Sequence, residues 1–193
     1  MIFDVTNFTQ MLTLNFSTFP ILYTDRLILR KISVNDVNEI ISLRSNKETM
    51  KYIDKPLIES KKDALQLIQK ITDGVNNNEA ITWAITLQND GLLIGTIGFW
   101  RIDKEHHRAE IGYMLHPAHQ KKGIMQEAVS TVLNYGFNAM QIHSVEANVN
   151  PANEASKKFL EKNKFIQEAY FRENYYYNGQ FLDSAIYSLL APG

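Results

Sequence analysis

The 193-residue sequence predicts one α/β (α+β) domain built on a mixed, mostly antiparallel, twisted sheet flanked by helices. Three observations predict this fold class. The centre of the chain, about residues 81–116, alternates apolar and polar side chains, as half-buried strands do. Two earlier segments have helical spacing behind capping residues. The C-terminal part changes period repeatedly and predicts the order β-α-β-α-β-β. We therefore expect about seven strands and about four helices.

The N-terminal half is divided by alternation and by capping residues. Residues 1–20 match no motif and end at Pro20, so we expect an N-terminal extension followed by a single domain over residues 21–193. Alternation predicts a strand over residues 23–30. Two helices on one side of the sheet are predicted by two pairs with the spacing of helix N-caps: Ser33 with Asp36, and Ser60 with Asp63.

The central and C-terminal elements follow one another through short polar segments. Asn89-Asp90-Gly91 is a strong hairpin turn between two alternating segments. The period changes predict strands over residues 81–88, 92–101, 108–116, 143–149, 165–171 and 183–190. They predict helices over residues 121–137 and 153–163.

Composition excludes several classes of function. The formal net charge is −1, so a nucleic-acid surface is not expected. The chain has no cysteine, which excludes a disulfide framework and a thiolate nucleophile, and its five histidines have no ligand-like spacing, so no metal site is expected. No segment approaches the roughly 20 apolar residues of a membrane span, and the first twenty residues lack a basic signal region. We expect a cytoplasmic protein with no membrane partner.

The run from His116 to Ala128 carries the clearest functional signal, because a predicted strand becomes a helix there. Free amides and the helix dipole at a helix start favour an anion. We place Lys121 and Lys122 in the first helical turn, where positive side chains are unfavourable unless an anion binds nearby. Gly123 would let that anion approach the backbone. The segment predicts a diphosphate site; a solvated basic turn with an incidental glycine is the alternative.

Gln120-Lys121-Lys122-Gly123-Ile124-Met125 resembles the [Gln/Arg]-x-x-Gly-x-[Gly/Ala] signature of the GNAT superfamily of N-acetyltransferases, with Met125 at the place of the small residue. Further segments resemble the branch that acetylates ribosomal-protein N-termini (RimJ/RimL-like). In order along the chain, these are Thr24 to Arg30, Ala109 to Leu115, Asn153 to Ser156 with Leu160-Glu161-Lys162 and Phe165, and Asn178 to Asp183 with Tyr187. The resemblance spans about residues 23–190.

The resemblance implies a GNAT fold whose sheet splays between its fourth and fifth strands, with acetyl-CoA as co-substrate in the opening. The residues it implies for CoA binding are Met114, Leu115, His116, Gln120, Lys121, Lys122, Gly123, Ile124, Met125, Asn153, Ser156 and Lys157. Three of these have simpler alternatives: Asn153 as a helix N-cap, Ser156 as a first-turn residue that satisfies a free amide, and Lys157 as a solvated helix lysine.

The resemblance also implies the catalytic residues. Glu110 shares one face of its strand with Gly112 and Met114, and we expect it to act as the general base, through a water. A surface carboxylate paired with Arg101 or Arg108 is the alternative. Ser156 would donate a hydrogen bond to the CoA sulfur. The tyrosine that many superfamily members use as the acid is replaced here by leucine at position 160.

The function implied is acetyl transfer from acetyl-CoA to a primary amine, by direct attack in a ternary complex. The acceptor would be a protein N-terminus of the ribosomal-protein-alanine type or a small-molecule amine. Two alternatives stay open: a non-catalytic acyl-CoA-binding or regulatory protein on the same fold, and an antibiotic or polyamine acetyltransferase. The protein would act as a monomer or a homodimer.

Overall fold

The computed structural model describes residues 11–193, which form one eight-stranded open sheet with five α-helices. The strands are β1 Leu22–Tyr23, β2 Leu27–Lys31, β3 Ile81–Leu87, β4 Leu93–Asp103, β5 Arg108–Leu115, β6 Ser144–Val149, β7 Ile166–Tyr177 and β8 Gln180–Leu190. The helices are α1 Val37–Ser45, α2 Lys47–Met50, α3 Lys61–Asn76, α4 Ile124–Asn138 and α5 Glu154–Lys162. The sheet order is β1-β2-β3-β4-β5-β6-β8-β7.

The sheet is antiparallel except where β5 meets β6, and that pair opens along its length. The parallel ladder consists of Arg108 with Ser144, Ala109 with Val145, and Glu110 with Glu146. Beyond Glu110, β5 keeps its pairing with β4 as far as Leu115, but its other edge has no ladder partner in the described chain. The predicted mixed sheet and its splay are therefore confirmed, and the splay lies between β5 and β6 here because the short β1 shifts the count by one.

Apolar side chains fill both faces of the sheet. One face packs against α4 and α5, and its core includes Trp83, Phe99 and Leu160. Gly136 lets α4 approach this face, because a Cβ there would lie 2.6 Å from the Phe99 ring. The other face packs against α1 and α3 and includes Met114. The two layers hold β5 between them, with the unpaired edge of the strand facing the opening.

Residues 11–20 pack against the sheet. Leu12 and Phe16 are buried in the same core as α4, and the Leu12 amide donates to the Lys104 carbonyl at 2.9 Å. The Trp83 indole donates to the Pro20 carbonyl at 2.7 Å. This part of the expected N-terminal extension thus contributes to the core, residues 1–10 lie outside the described residues, and the domain boundary at residue 20 stays a prediction.

Helix α4 begins at Ile124, so the prediction that Lys121 and Lys122 occupy its first turn is wrong. The reason is backbone conformation: Lys121 has φ 58° and Gly123 has φ 77°, and both values interrupt a right-handed helix. The two lysines lie in the turn that precedes the helix, and Gly123 is the N-cap residue.

Other element boundaries differ more modestly. The predicted first strand is divided into β1 and β2, and α2 adds a single helical turn. β7 runs to Tyr177 instead of ending near residue 171, because two register shifts against β8 let the pairing continue to the turn at Asn178. No helix within residues 11–193 combines the length and the hydropathy that crossing a bilayer requires.

Candidate active site

The turn between β5 and α4 presents backbone amides that no side chain caps. Within the described chain, the first hydrogen bond of α4 runs from the Glu127 amide to the Gly123 carbonyl at 3.1 Å, and Gly123 has no side chain with which to cap the helix. The amides of Ile124, Met125 and Gln126 precede the first helical partner. The sequence-predicted residues Gln120 to Met125 therefore surround a cluster of free N–H groups at the positive end of a helix dipole.

Side chains from two neighbouring segments fix this turn. The Gln120 amide group donates to the Leu115 carbonyl at 3.1 Å, which ties the turn to the end of β5. The Arg26 guanidinium donates to the Lys122 carbonyl at 3.0 Å and pairs with Glu127 at 2.6 Å. Burial opposes ionisation of Glu127, but hydrogen bonds from Thr24 and Arg26 outweigh it and lower the pKa of this carboxyl. Arg26, which the sequence analysis did not single out, thus braces the turn.

His116, also predicted to contact CoA, caps the short 3-10 turn that follows β5. Its Nδ1 accepts from the Ala118 amide at 3.3 Å. Met114 and Leu115 are buried, and their backbone lies along the unpaired edge of β5. An extended ligand could pair with this edge as an added strand does.

Glu110 lies at the point where β5 and β6 separate. It is 7% exposed and accepts from the Arg101 guanidinium at 3.1 Å. Arg101 has φ 47° within a bulge of β4, and its guanidinium stacks over the Trp100 ring at 4.4 Å. Arg108, the other suggested partner, pairs with Glu146 instead, at 2.6 Å.

Burial raises the pKa of Glu110 to about 7, although the Arg101 charge acts in the opposite direction. The neighbouring Glu146 charge raises it further. A carboxylate with a pKa close to the working pH exists in both protonation states there and is suited to accept a proton during turnover.

The perturbed pKa of Glu110 predicts a pH dependence of stability. The pKa of Glu110 in the folded protein, about 7, exceeds the ordinary glutamate value of 4.5, so the folded state binds more protons than the unfolded state between these values. Stability should therefore fall as pH rises through this window, by up to about 3 kcal/mol for this group. Urea titrations at pH 5 and pH 8 should show Glu110→Gln gaining stability relative to the wild type at the higher pH.

The control for this measurement is Glu59→Gln, which removes an exposed carboxyl. Its stability should follow the wild-type curve at both pH values. A constant difference between wild type and Glu110→Gln across the window would show that Glu110 titrates normally in the folded protein.

Ser156 faces β5 across the opening. Its hydroxyl forms a 2.7 Å hydrogen bond with the Tyr113 hydroxyl, and the Tyr113 ring meets Phe159 edge-on at 5.1 Å. The Ser156 amide donates to the side-chain oxygen of Asn153 at 3.1 Å. The simpler alternative for Asn153, helix N-capping, is thus what the structure shows, and its contact with pantetheine stays a prediction.

Lys157 is engaged within its own helix. Its ammonium contacts Glu154 at 2.7 Å, a pair three residues apart. Binding a CoA phosphate would require the lysine to exchange this partner, so its assignment to the cofactor site stays a prediction.

On the Glu110 face of the sheet, a groove of about 540 Å³ runs beside Trp100 and Arg101. Its other lining residues are mostly polar and carry both signs of charge: Gln66, Gln69, Lys70, Asp73, Gly74, Asn77, Glu79 and Ala80. The Tyr175 hydroxyl donates to Asp54 and joins β7 to the loop before α3. Within residues 11–193, no cluster of histidine and carboxylate side chains could hold a metal ion.

Comparison with known proteins shows which family has this arrangement. Residues 26–166 match the family model described as acetyltransferase (GNAT) domain. The chain is 39% identical over 174 residues to the uncharacterized N-acetyltransferase YoaA of Bacillus subtilis, covering 90% of this chain and 98% of that relative.

Many solved structures share the fold, and two of them illustrate the range of acceptors. One is RimL, a ribosomal L7/L12 α-N-protein acetyltransferase in complex with coenzyme A; it has a TM-score of 0.80 and 23% identity and covers 89% of this chain and 98% of its own. The other is spermidine N-acetyltransferase from Vibrio cholerae in complex with CoA and spermine, with a TM-score of 0.77, 24% identity and coverage of 87% and 97%. With most of its length matching the family model, the chain belongs to the GNAT family and is an N-acetyltransferase.

Proposed function

We propose that this enzyme transfers the acetyl group of acetyl-CoA to a primary amine, most simply a protein N-terminus, in a ternary complex. The observation that carries the proposal is the uncapped start of α4 beside the left-handed Gly123, directly after the open edge of β5. A diphosphate would accept hydrogen bonds from the amides of Ile124 and Met125.

From that anchor, the rest of CoA has a continuous path along the opening. The pantetheine arm would lie along the edge of β5 that has no ladder partner towards β6, beside Met114 and Leu115, and form main-chain hydrogen bonds at that edge. The thioester would then reach the region between Glu110 and Ser156, where β5 and β6 separate. The co-crystallised CoA of the two structural relatives supports CoA as the ligand.

The chemistry follows from the charges at that end. The amine must lose a proton to attack, and Glu110, with its pKa raised to about 7, can accept it through a water. The nitrogen attacks the thioester carbonyl carbon, the C–N bond forms and the C–S bond breaks, and the nitrogen releases its second proton to water to leave a neutral amide. CoA leaves as a thiolate. Because the chain has no cysteine, we propose that acetyl transfer is direct, without a cysteine-bound acyl-enzyme.

The charge of the groove beside Arg101 helps to choose between a peptide and a polyamine as acceptor. The groove lining carries two positive side chains, Lys70 and Arg101, and two negative ones, Asp73 and Glu79, so it has no net charge. A polyamine carries several positive charges and would favour a strongly acidic groove. A peptide N-terminus presents a single amine on a polar chain and fits a mixed groove better. Because one structural relative is a spermidine N-acetyltransferase, polyamines are included among the acceptors to be tested.

The test is calorimetry with CoA and acetyl-CoA, followed by CoA-release assays with a panel of N-terminal peptides, spermidine and small amines. We expect micromolar association with both cofactors and turnover with at least one peptide. Absence of binding heat would overturn the proposal. Turnover with spermidine alone would replace the peptide by a polyamine as acceptor.

The Arg101–Glu110 pair predicts how the pH profile of this activity can be moved. Removing the Arg101 charge takes away a group that lowers the pKa of Glu110, so Arg101→Gln should raise this pKa. The acid limb of kcat/KM should then move from about pH 7 to a higher pH. Lys162→Gln, at an exposed position on α5 on the other face of the sheet, should leave the profile in place. If the acid limb of kcat/KM does not move in Arg101→Gln, Glu110 is not the group whose titration produces that limb.

A further inference from the structure

Departure of CoA as a thiolate calls for a hydrogen-bond donor near the sulfur, and position 160, where the resemblance implies the acid, is a buried leucine here. Leu160 is 0% exposed and lies in the core under the sheet. If the protein has the proposed function, the hydroxyl that faces the sulfur comes from another residue. Ser156 is the hydroxyl on α5 that points into the opening, and its partner there is Tyr113.

Tyr113 comes from the strand on the other side of the opening. It lies on β5 beyond Glu110, in the part of the strand that has no ladder partner towards β6. Its side chain crosses to α5, where the two hydroxyl oxygens are 2.7 Å apart. The edge-on contact with Phe159 fixes the Tyr113 ring. Asn153 caps α5 by accepting from the Ser156 amide, so the Ser156 hydroxyl is not used as the helix cap.

We propose that Tyr113 is a positioning residue: it donates its hydrogen bond to Ser156 Oγ and thereby turns the serine proton towards the sulfur of CoA. A serine hydroxyl has one proton, and when its oxygen accepts from Tyr113 that proton is free to be donated elsewhere. As the C–S bond breaks, the sulfur gains negative charge and the hydrogen bond from Ser156 strengthens. Neither hydroxyl gives up its proton in this step.

The environment of Tyr113 keeps it a donor. Burial raises the pKa of the Tyr113 phenol to about 12, although the hydrogen bond with Ser156 acts in the opposite direction. The phenol therefore stays protonated throughout the pH range in which Glu110 titrates. An ionised phenol would accept from Ser156 instead and withdraw the serine proton from the sulfur.

The first test is kinetic. Tyr113→Phe keeps the ring against Phe159 and removes the hydroxyl, and we expect about tenfold lower kcat with the KM for acetyl-CoA nearly unchanged. Ser156→Ala should lose at least as much. The double variant should be no slower than Ser156→Ala, because the tyrosine acts through the serine. Tyr135→Phe removes a phenol from α4, where the ring packs on Trp83, and should keep wild-type kinetics.

The second test needs no turnover. Calorimetry compares CoA with its analogue lacking the sulfur, at pH 7 and at pH 9, on either side of the ordinary thiol pKa of about 8.5. In the wild type the preference for CoA should grow at pH 9, by about fivefold or more, as the thiolate accepts from Ser156. In Tyr113→Phe and Ser156→Ala the preference should change much less.

Two results would overturn the inference: wild-type kcat in Tyr113→Phe, or a preference for CoA that grows equally with pH in all three proteins. Multiplying losses in the double variant would assign Tyr113 an independent role and also overturn it. Wild-type protein that binds CoA but acetylates no amine would instead count against the proposed function, and the calorimetric comparison would still decide the role of Tyr113.

Discussion

Replacing Glu110 by glutamine is expected to lower kcat by about a hundredfold or more, since general-base catalysis contributes on that scale. Glutamine keeps the shape of the side chain and can still accept from Arg101, but it cannot take a proton from the amine. The affinity for CoA, measured by calorimetry, should stay at the wild-type value, because the proposed CoA contacts are backbone groups of β5 and the start of α4. The variant thus separates binding from chemistry.

The pH profile provides the internal check on this result. Wild-type kcat/KM should rise with pH through about 7, the pKa of Glu110, and the residual activity of Glu110→Gln should lack that limb. Glu59→Gln, which removes an exposed carboxyl, should match the wild type. Retention of both rate and limb in Glu110→Gln would remove Glu110 from catalysis and point to direct deprotonation of the amine by solvent.

Period and turn chemistry were sufficient to predict most of the fold. The alternation of Ile81, Trp83 and Ile85 reflects a strand whose core side chains face α4, and the Asn89-Asp90-Gly91 turn leads into β4. Ser60 caps α3 as its spacing with Asp63 predicts. These features depend on residues close together in the sequence, which is why the sequence alone predicts them.

The start of α4 was placed wrongly because backbone conformation there is not set by residue type alone. Glycine readily takes the positive φ of position 123, but Lys121 takes one as well, and lysine gives no sign of this in the sequence. The position of the two lysines favours anion binding at the start of α4. The two lysines lie outside the helix, in the turn that faces the proposed diphosphate, and do not oppose the helix dipole from within its first turn.

Contacts between distant segments were the part of the site that the sequence did not reveal. Tyr113 and Ser156 are 43 positions apart, and Arg26 lies 101 positions before Glu127. Alternation along β5 does put Tyr113 on the face opposite Glu110, which was the one available signal for Tyr113. The sequence suggested both Arg101 and Arg108 as partners of Glu110 but could not choose between them. The bulge that brings Arg101 to Glu110 depends on a register shift between β4 and β5, and such shifts leave no regular pattern in either strand.

Gly123→Trp is expected to weaken CoA binding by about a hundredfold, because a bulky side chain would occupy the space in which the diphosphate meets the α4 amides. Two features of the position add to the effect. Its φ of 77° strains any residue with a Cβ, and a Cβ there would lie 3.3 Å from Arg26 Nη2, the guanidinium that braces the turn. Calorimetry with CoA measures the loss directly.

Gly91→Trp is the matched control, because it separates backbone strain from loss of the site. Gly91 has a similar φ, 73°, but a Cβ there meets nothing within 4 Å. Both variants should lose about 1–2 kcal/mol of stability for a left-handed residue with a side chain. Only Gly123→Trp should lose CoA affinity. Equal affinity in the two variants would mean that the diphosphate does not bind at the start of α4, and the proposed path of CoA along β5 would lose its anchor.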